Sequence, residues 1–173
     1  MKISVRAMVY VALVAAVYAV VTSMQYTIGF GAIQIRVAES LNLLAFFNPI
    51  FVPAVTLGVF LTNLLWSPFG LIDVGLGTLA TVISLGLIRI TKKTTNNLGL
   101  AAVWPVVVNA LMIPIVIIYG GGGFDGGFSW ATYWTFAGLV GAGQFIAIII
   151  IGYVLFRVLM AKFPHFIKII EEI

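Results

Sequence analysis

The chain has 173 residues, of which 62% are hydrophobic and 8% charged, with a formal net charge of +4 and a mean hydropathy of +1.20. A soluble domain of that length cannot bury so much apolar surface, and several windows approach the roughly 20 apolar residues that cross about 30 Å of hydrocarbon, so the composition defines an integral membrane protein. The basic residues gather at segment ends, a topology signal rather than a nucleic-acid surface, and the absence of cysteine excludes disulfides and thiolate metal sites.

The first apolar segment covers residues 3–22. Its start, MKISVRAMVYVALVAAVYAVV, mimics a signal peptide, but the run exceeds the usual roughly 7 to 15 residues of such a core and no small-x-small cleavage site follows it promptly. It is read as a membrane helix. Next comes a long stretch, residues 33–66, then segments at 71–88, 98–119 and 130–159.

Charge parity divides the long stretch. Lys2 and Arg6, then Arg89, Lys92 and Lys93, then Arg157, Lys162 and Lys168 should all face the cytoplasm. An even number of crossings must separate successive clusters. One helix over 33–66 would violate this, whereas a break at Asn48-Pro49, where proline removes a backbone donor and pushes its predecessor out of the α region, restores it. The expected fold is therefore an all-α membrane domain of six transmembrane helices, both termini cytoplasmic. Helices two and three (33–47 and 49–66) are short, roughly 22 and 27 Å at about 1.5 Å per residue. A re-entrant hairpin satisfies the same parity.

In this topology Arg36 and Glu39 lie at the outer end of helix two and Asp73 at the outer start of helix four, which Ser67-Pro68 is expected to open as cap and first-turn proline. An ionised side chain in hydrocarbon costs roughly 2.5 to 3.5 kcal/mol at a helix centre, so it pairs, snorkels or marks a site. Three residues apart on a helix, Arg36 and Glu39 share a face and can pair. They form either an interfacial ion pair or, with Asn42, Asn63 and Asp73, a polar patch that receives a solute from outside. Asp73 alone can equally offset the positive end of its helix.

Other chemistry is weakly supported. His165 is the single histidine, in a lysine-flanked tail, and makes no metal site. The run Gly120 to Gly127 lacks the Gly-Lys-Ser/Thr ending of a phosphate loop and serves as a connector or as a lid. Asn109, Pro114 and Gln144 suit cavity lining or interhelical hydrogen bonds. No catalytic set stands out, so neither an enzyme nor a cofactor is expected.

Helix one carries Met8, Ala12, Ala15, Ala16, Ala19 and Ser23 at helical spacing. Small residues every four positions let another backbone approach closely, either within the chain or from another membrane subunit.

The segments Gln34-Ile-Arg-Val-Ala-Glu39, Leu41-Asn-Leu-Leu, the Asn63 region and Gly70-Leu-Ile-Asp-Val-Gly-Leu-Gly-Thr-Leu-Ala80 resemble the QueT family. The match is most specific over residues 34–84, and the C-terminal half is similar mainly in hydropathy. The resemblance implies a substrate-binding S component of an energy-coupling factor (ECF) transporter in a bacterial cell membrane. It implies uptake of queuosine precursors, with a transmembrane coupling subunit and two separate ATPase subunits as partners. It also implies that the alanine face of helix one meets the coupling subunit, through Ala12 with Ala16 or Ala15 with Ala19.

A deazaguanine ring presents two adjacent donors beside a carbonyl, and one carboxylate can accept both. Glu39 is the expected acceptor. Arg36 would orient Glu39 or donate to the carbonyl, Asn42, Asn63 and Asp73 would complete the rim, and Tyr26, Phe30, Trp66 or Trp130 could stack on the ring. The alternatives are an S component for another vitamin, or a small assembly subunit whose alanine face is its purpose.

Overall fold

The computed structural model of the chain describes residues 5–31, 33–120 and 128–173, and every regular element among them is helical. The glycine-rich segment 121–127, expected to act as connector or lid, lies outside the described residues.

Uninterrupted apolar sequence gives α1, Val5–Met24, most of whose surface faces outward, with Val5, Val9, Leu13 and Val20 all more than half exposed. Its inner face packs on α4, where Ala15 and Tyr18 close on Gly58. The stripe of small residues therefore divides. Ala15 is buried and Ala19 half-buried, while Met8, Ala12 and Ala16 are exposed.

After the single turn α2, Tyr26–Gly29, the chain is irregular at 34–36, with Gln34 at positive φ and Arg36 extended, and then forms α3, Val37–Phe47. Helix two was expected to begin at residue 33; it begins four residues later, and its first part, Val37–Leu43, is wound as a 3₁₀ helix. Such runs rarely exceed about 3 to 4 residues, and a longer one marks strain or function. The tighter 3₁₀ winding has a longer rise: at about 2.0 Å per residue in 3₁₀ and 1.5 Å in α, residues 37–47 are about 20 Å long. Almost all of α3 is buried among its neighbours, the condition under which irregular backbone is tolerated at membrane depth.

The break at Asn48-Pro49 is present. Asn48 is extended (φ −141°, ψ 133°), as a residue before proline must be. Its Oδ1 accepts from the Ile50 N–H, and its Nδ2 donates to the carbonyls of Ile170 and Glu171. Arg89 reaches across to donate to the carbonyls of Ala45 and Phe46, satisfying the end of α3. Helix α4, Phe51–Trp66, follows.

Helix α5 runs Asp73–Thr94, with a π-wound start at Asp73–Gly77. It was expected to open at Ser67-Pro68. Instead Ser67 ends α4, and the chain turns through Gly70, whose φ of +65° lies in the left-handed region that glycine adopts without strain. Helices α6, Leu98–Gly120, and α7, Trp130–Lys162, follow the expected boundaries, and the tail folds as α8, Pro164–Glu171.

By length and apolarity α1, α5, α6 and α7 can each cross a membrane, while α3 and α4 are shorter apolar helices. One core cluster centres on α3, with Leu43, Ala45, Phe46 and Phe47 against Val55, Leu85, Ile148 and Phe156. A second joins α5, α6 and α7 through Ala80, Val116, Phe136 and Val140.

Candidate functional site

At the start of α3 the unwound backbone turns polar side chains inward. Arg36 is 4% exposed, Glu39 3%, Asp73 1%, and Asn42 and Asn63 no more than 2%. Charges so deeply placed persist only with partners. Arg36 Nε donates to the Gly29 carbonyl at 2.8 Å, Nη1 donates to Asn63 Oδ1 at 3.3 Å, and Nη2 lies 3.7 Å from Asp73 Oδ2. The Phe30 ring covers the guanidinium, its centroid 4.3 Å from Cζ.

The expected pairing of Arg36 with Glu39 is replaced by one with Asp73. Because Arg36 stands on extended backbone before α3, the helical i,i+3 geometry does not apply to it. Asp73 is further held by the Ser67 hydroxyl at 2.6 Å and by Asn63 Nδ2, which also donates to the Asp73 carbonyl. Glu39 has its own donors: Tyr18 Oη to Oε1 and Asn42 Nδ2 to Oε2, each at 2.6 Å. Two carboxylates and one guanidinium leave the cluster with one carboxylate in excess.

Gln34, Arg36 and Glu39 border a small cavity together with Thr81, Asn109 and Gln144, closed by Val59 and Ile113. Its volume is about 10 Å³, roughly one water-sized probe. Around it Gln34 Nε2, Arg36 Nη2 and Gln144 Oε1 have no hydrogen-bond partner, and Asn42 Oδ1 beside Glu39 has none either. Buried polar atoms are normally paired, and here Arg36 Nη2 has only its ion-pair approach to Asp73 while the other three have no partner, so the cluster carries unmet hydrogen-bonding capacity.

Two backbone features hold this arrangement. Gln34 has φ +50°, an uncommon conformation for a side chain other than glycine and one of the kind that clusters at functional sites. Gly143 of α7 allows the 33–34 backbone to lie directly against the helix, since a Cβ there would collide with the Ile33 carbonyl.

Of the residues expected from sequence, Arg36, Glu39, Asn42, Asn63 and Asp73 come together, with Phe30 stacked on the guanidinium. Tyr26, 46% exposed, packs beside Phe30 and not on the cavity; Trp66, 37% exposed, and Trp130, 67% exposed, stand away from it, the latter among Phe128 and Tyr133. Tyr18 and Gln34 were missed. Tyr18 is one of two tyrosines in an alanine-rich helix, and nothing in the pattern separates it from Tyr10 or marks a positive φ at Gln34. Among the described residues no group of three His, Cys, Asp or Glu could hold a metal ion.

Long apolar helices around a charged, incompletely paired pocket define a multi-pass membrane protein with a buried polar site. The model of the QueT transporter family matches residues 8–161, and the chain belongs to that family. It is similar to the protein described as queuosine precursor transporter QueT of Lactococcus lactis subsp. cremoris (strain MG1363), 42% identical over 81 residues. That alignment spans 46% of this chain and 47% of the relative, about half of its length. No solved structure matches.

Proposed function

We propose that the chain is the substrate-capture component of an ECF-type importer and binds a queuosine precursor of the deazaguanine class in the cluster around Glu39. The observation that carries this reading is the set of buried, unpartnered polar atoms around Glu39 and Arg36. Each Glu39 oxygen accepts one hydrogen bond within the protein and retains a lone pair for a further donor. The two adjacent N–H donors of the guanine-like edge suit that carboxylate. Its carbonyl suits Arg36 Nη2 or Gln34 Nε2, and the excess carboxylate favours a donor-rich or cationic guest over an anion.

Small-molecule pockets typically measure about 300 to 1,000 Å³, so capture requires the closed cavity to widen. The strained peptide at Gln34, on the exposed side of which Ile33 is 45% accessible, is the element we assign to that opening.

In this reading α3 and α4 cross the membrane as the second and third of six helices. Lys93 and Lys168 then face the cytoplasm with both termini, and the cluster faces outward. ATP hydrolysis belongs to two separate ATPase subunits, and the coupling subunit docks on α1. The exposed register, Ala12 with Ala16, is assigned to that contact because Ala15 already packs on α4.

The test is a competition panel on the purified protein in detergent, with thermal stabilisation as readout. Queuine and its deazaguanine precursors should stabilise the protein at sub-micromolar concentrations and compete with one another, while unrelated vitamins do neither. Stabilisation by a vitamin alone would reassign the substrate, and no ligand at all would leave an assembly subunit.

A further inference from the structure

The end of the bundle opposite the buried cluster holds a second, larger cavity. It measures about 600 Å³ and lies where the α5–α6 turn, the end of α3, α7 and α8 meet. Two cations border it. Lys92 Nζ sits 4.6 Å from the centroid of the Phe46 ring and Arg157 Cζ 6.0 Å from that of Tyr153. Neither has a carboxylate within ion-pair distance among the described residues; Glu171 is the one acid on the wall. Asn96, Asn97 and Gly99, at the start of the 23-residue α6, complete a polar mouth.

An apolar groove of about 390 Å³ runs on from this mouth. Its walls are Val103 and Val106 of α6 facing Phe145 and Ile149 of α7, and Gly99 and Tyr153 border both cavities. Tyr153 lies against the first turn of α6, where a Cβ on Gly99 would touch its ring. A cationic mouth that continues into an apolar groove on the lipid-facing side of two membrane helices has the form of an amphiphile with an anionic head.

We propose that this composite site binds one anionic phospholipid, its phosphate held between Lys92 and Arg157 and an acyl chain laid along Val103, Val106 and Ile149. Charge complementarity selects the occupant: two unpaired cations against one acid favour a headgroup with net negative charge over a zwitterionic one. The groove selects a lipid over a free anion. The site shares no lining residue with the cavity beside Glu39.

Native mass spectrometry of the full chain, released from micelles containing equal phosphatidylglycerol and phosphatidylcholine, tests the proposal, with melting temperature recorded in parallel. The wild-type chain should retain phosphatidylglycerol selectively. Lys92→Gln with Arg157→Gln should lower that retention about twenty-five-fold, from about fivefold for each cation near a membrane surface. Val103→Trp, which fills the groove at an exposed position and leaves both cations, should also release the lipid, and it decides the matter should the double variant fail to fold. Equal retention of the two lipids, unchanged retention in Val103→Trp, or full displacement and equal stabilisation by inorganic phosphate would each overturn the assignment.

Discussion

Arg36 and Glu39 are neighbours in sequence with different duties. Arg36 is tied to Asp73, Asn63 and the Gly29 carbonyl and so fixes three segments to one another, whereas Glu39 is held by Tyr18 and Asn42 and keeps capacity for a guest. Removing one partner of a buried ion pair strands the other. Asp73→Asn should therefore destabilise the protein by about 3 to 5 kcal/mol, read as a fall in melting temperature. Tyr18→Phe removes one hydrogen bond to a buried carboxylate, about 1.5 to 3 kcal/mol, and should weaken solute affinity as well as stability, because Glu39 is then free to turn away from the pocket. Equal melting temperatures for wild type and Asp73→Asn would show that the pair contributes little. The residues of this cluster were legible in sequence because charge is conspicuous in so apolar a chain. The pairing was not, since helical spacing suggests Arg36 with Glu39 and only the extended backbone at Arg36 redirects it toward α5.

At the scale of elements, the winding of α3 and the division of α1 decide what each segment can do. Charge parity and Pro49 were enough to place the break between α3 and α4. They gave no sign that Val37–Leu43 would be 3₁₀, a segment that packs against α1 and α7 through contacts no local pattern encodes. Gly143→Ala should push the 33–34 backbone off α7, costing about 1 to 3 kcal/mol as overpacking does, and should impair solute binding by more than it lowers stability. Helix one yields a paired test of register. Ala15→Leu overpacks the contact with α4 and should lower the melting temperature of the isolated chain. Ala16→Leu, at an exposed position, should leave stability within about 0.5 kcal/mol while reducing co-purification with the membrane partner. If Ala16→Leu co-purifies normally and Ala15→Leu does not, the partner contact belongs to the other register.

The whole molecule separates two chemistries along its length, a buried cluster with an excess carboxylate at one end and the basic rim of Arg89, Lys92, Lys93 and Arg157 at the other. This polarity was visible in the sequence as clustered lysine and arginine, and it sets the orientation we propose. Cysteines placed at Lys93 and Lys168 in this cysteine-free chain should resist an impermeant label on intact cells, and one at Ser129, between α6 and α7, should react; labelling at position 93 would exclude the six-crossing topology. Capture requires no ATP in this scheme, so the purified chain alone should bind its solute, while uptake requires the ATPase partners. The decisive measurement is a calorimetric titration of purified wild type and Glu39→Gln with queuine and its precursors, melting temperatures recorded on the same samples. The substitution turns an acceptor pair into one acceptor and one donor, and Asn42 can rotate its unpartnered Oδ1 to meet that donor, so the fold should survive. Affinity should fall about ten- to a hundredfold, or about 1.5 to 3 kcal/mol, with little change in melting temperature. Retained affinity alongside a collapse in stability would contradict the assignment and make Glu39 a structural residue, with the solute held elsewhere.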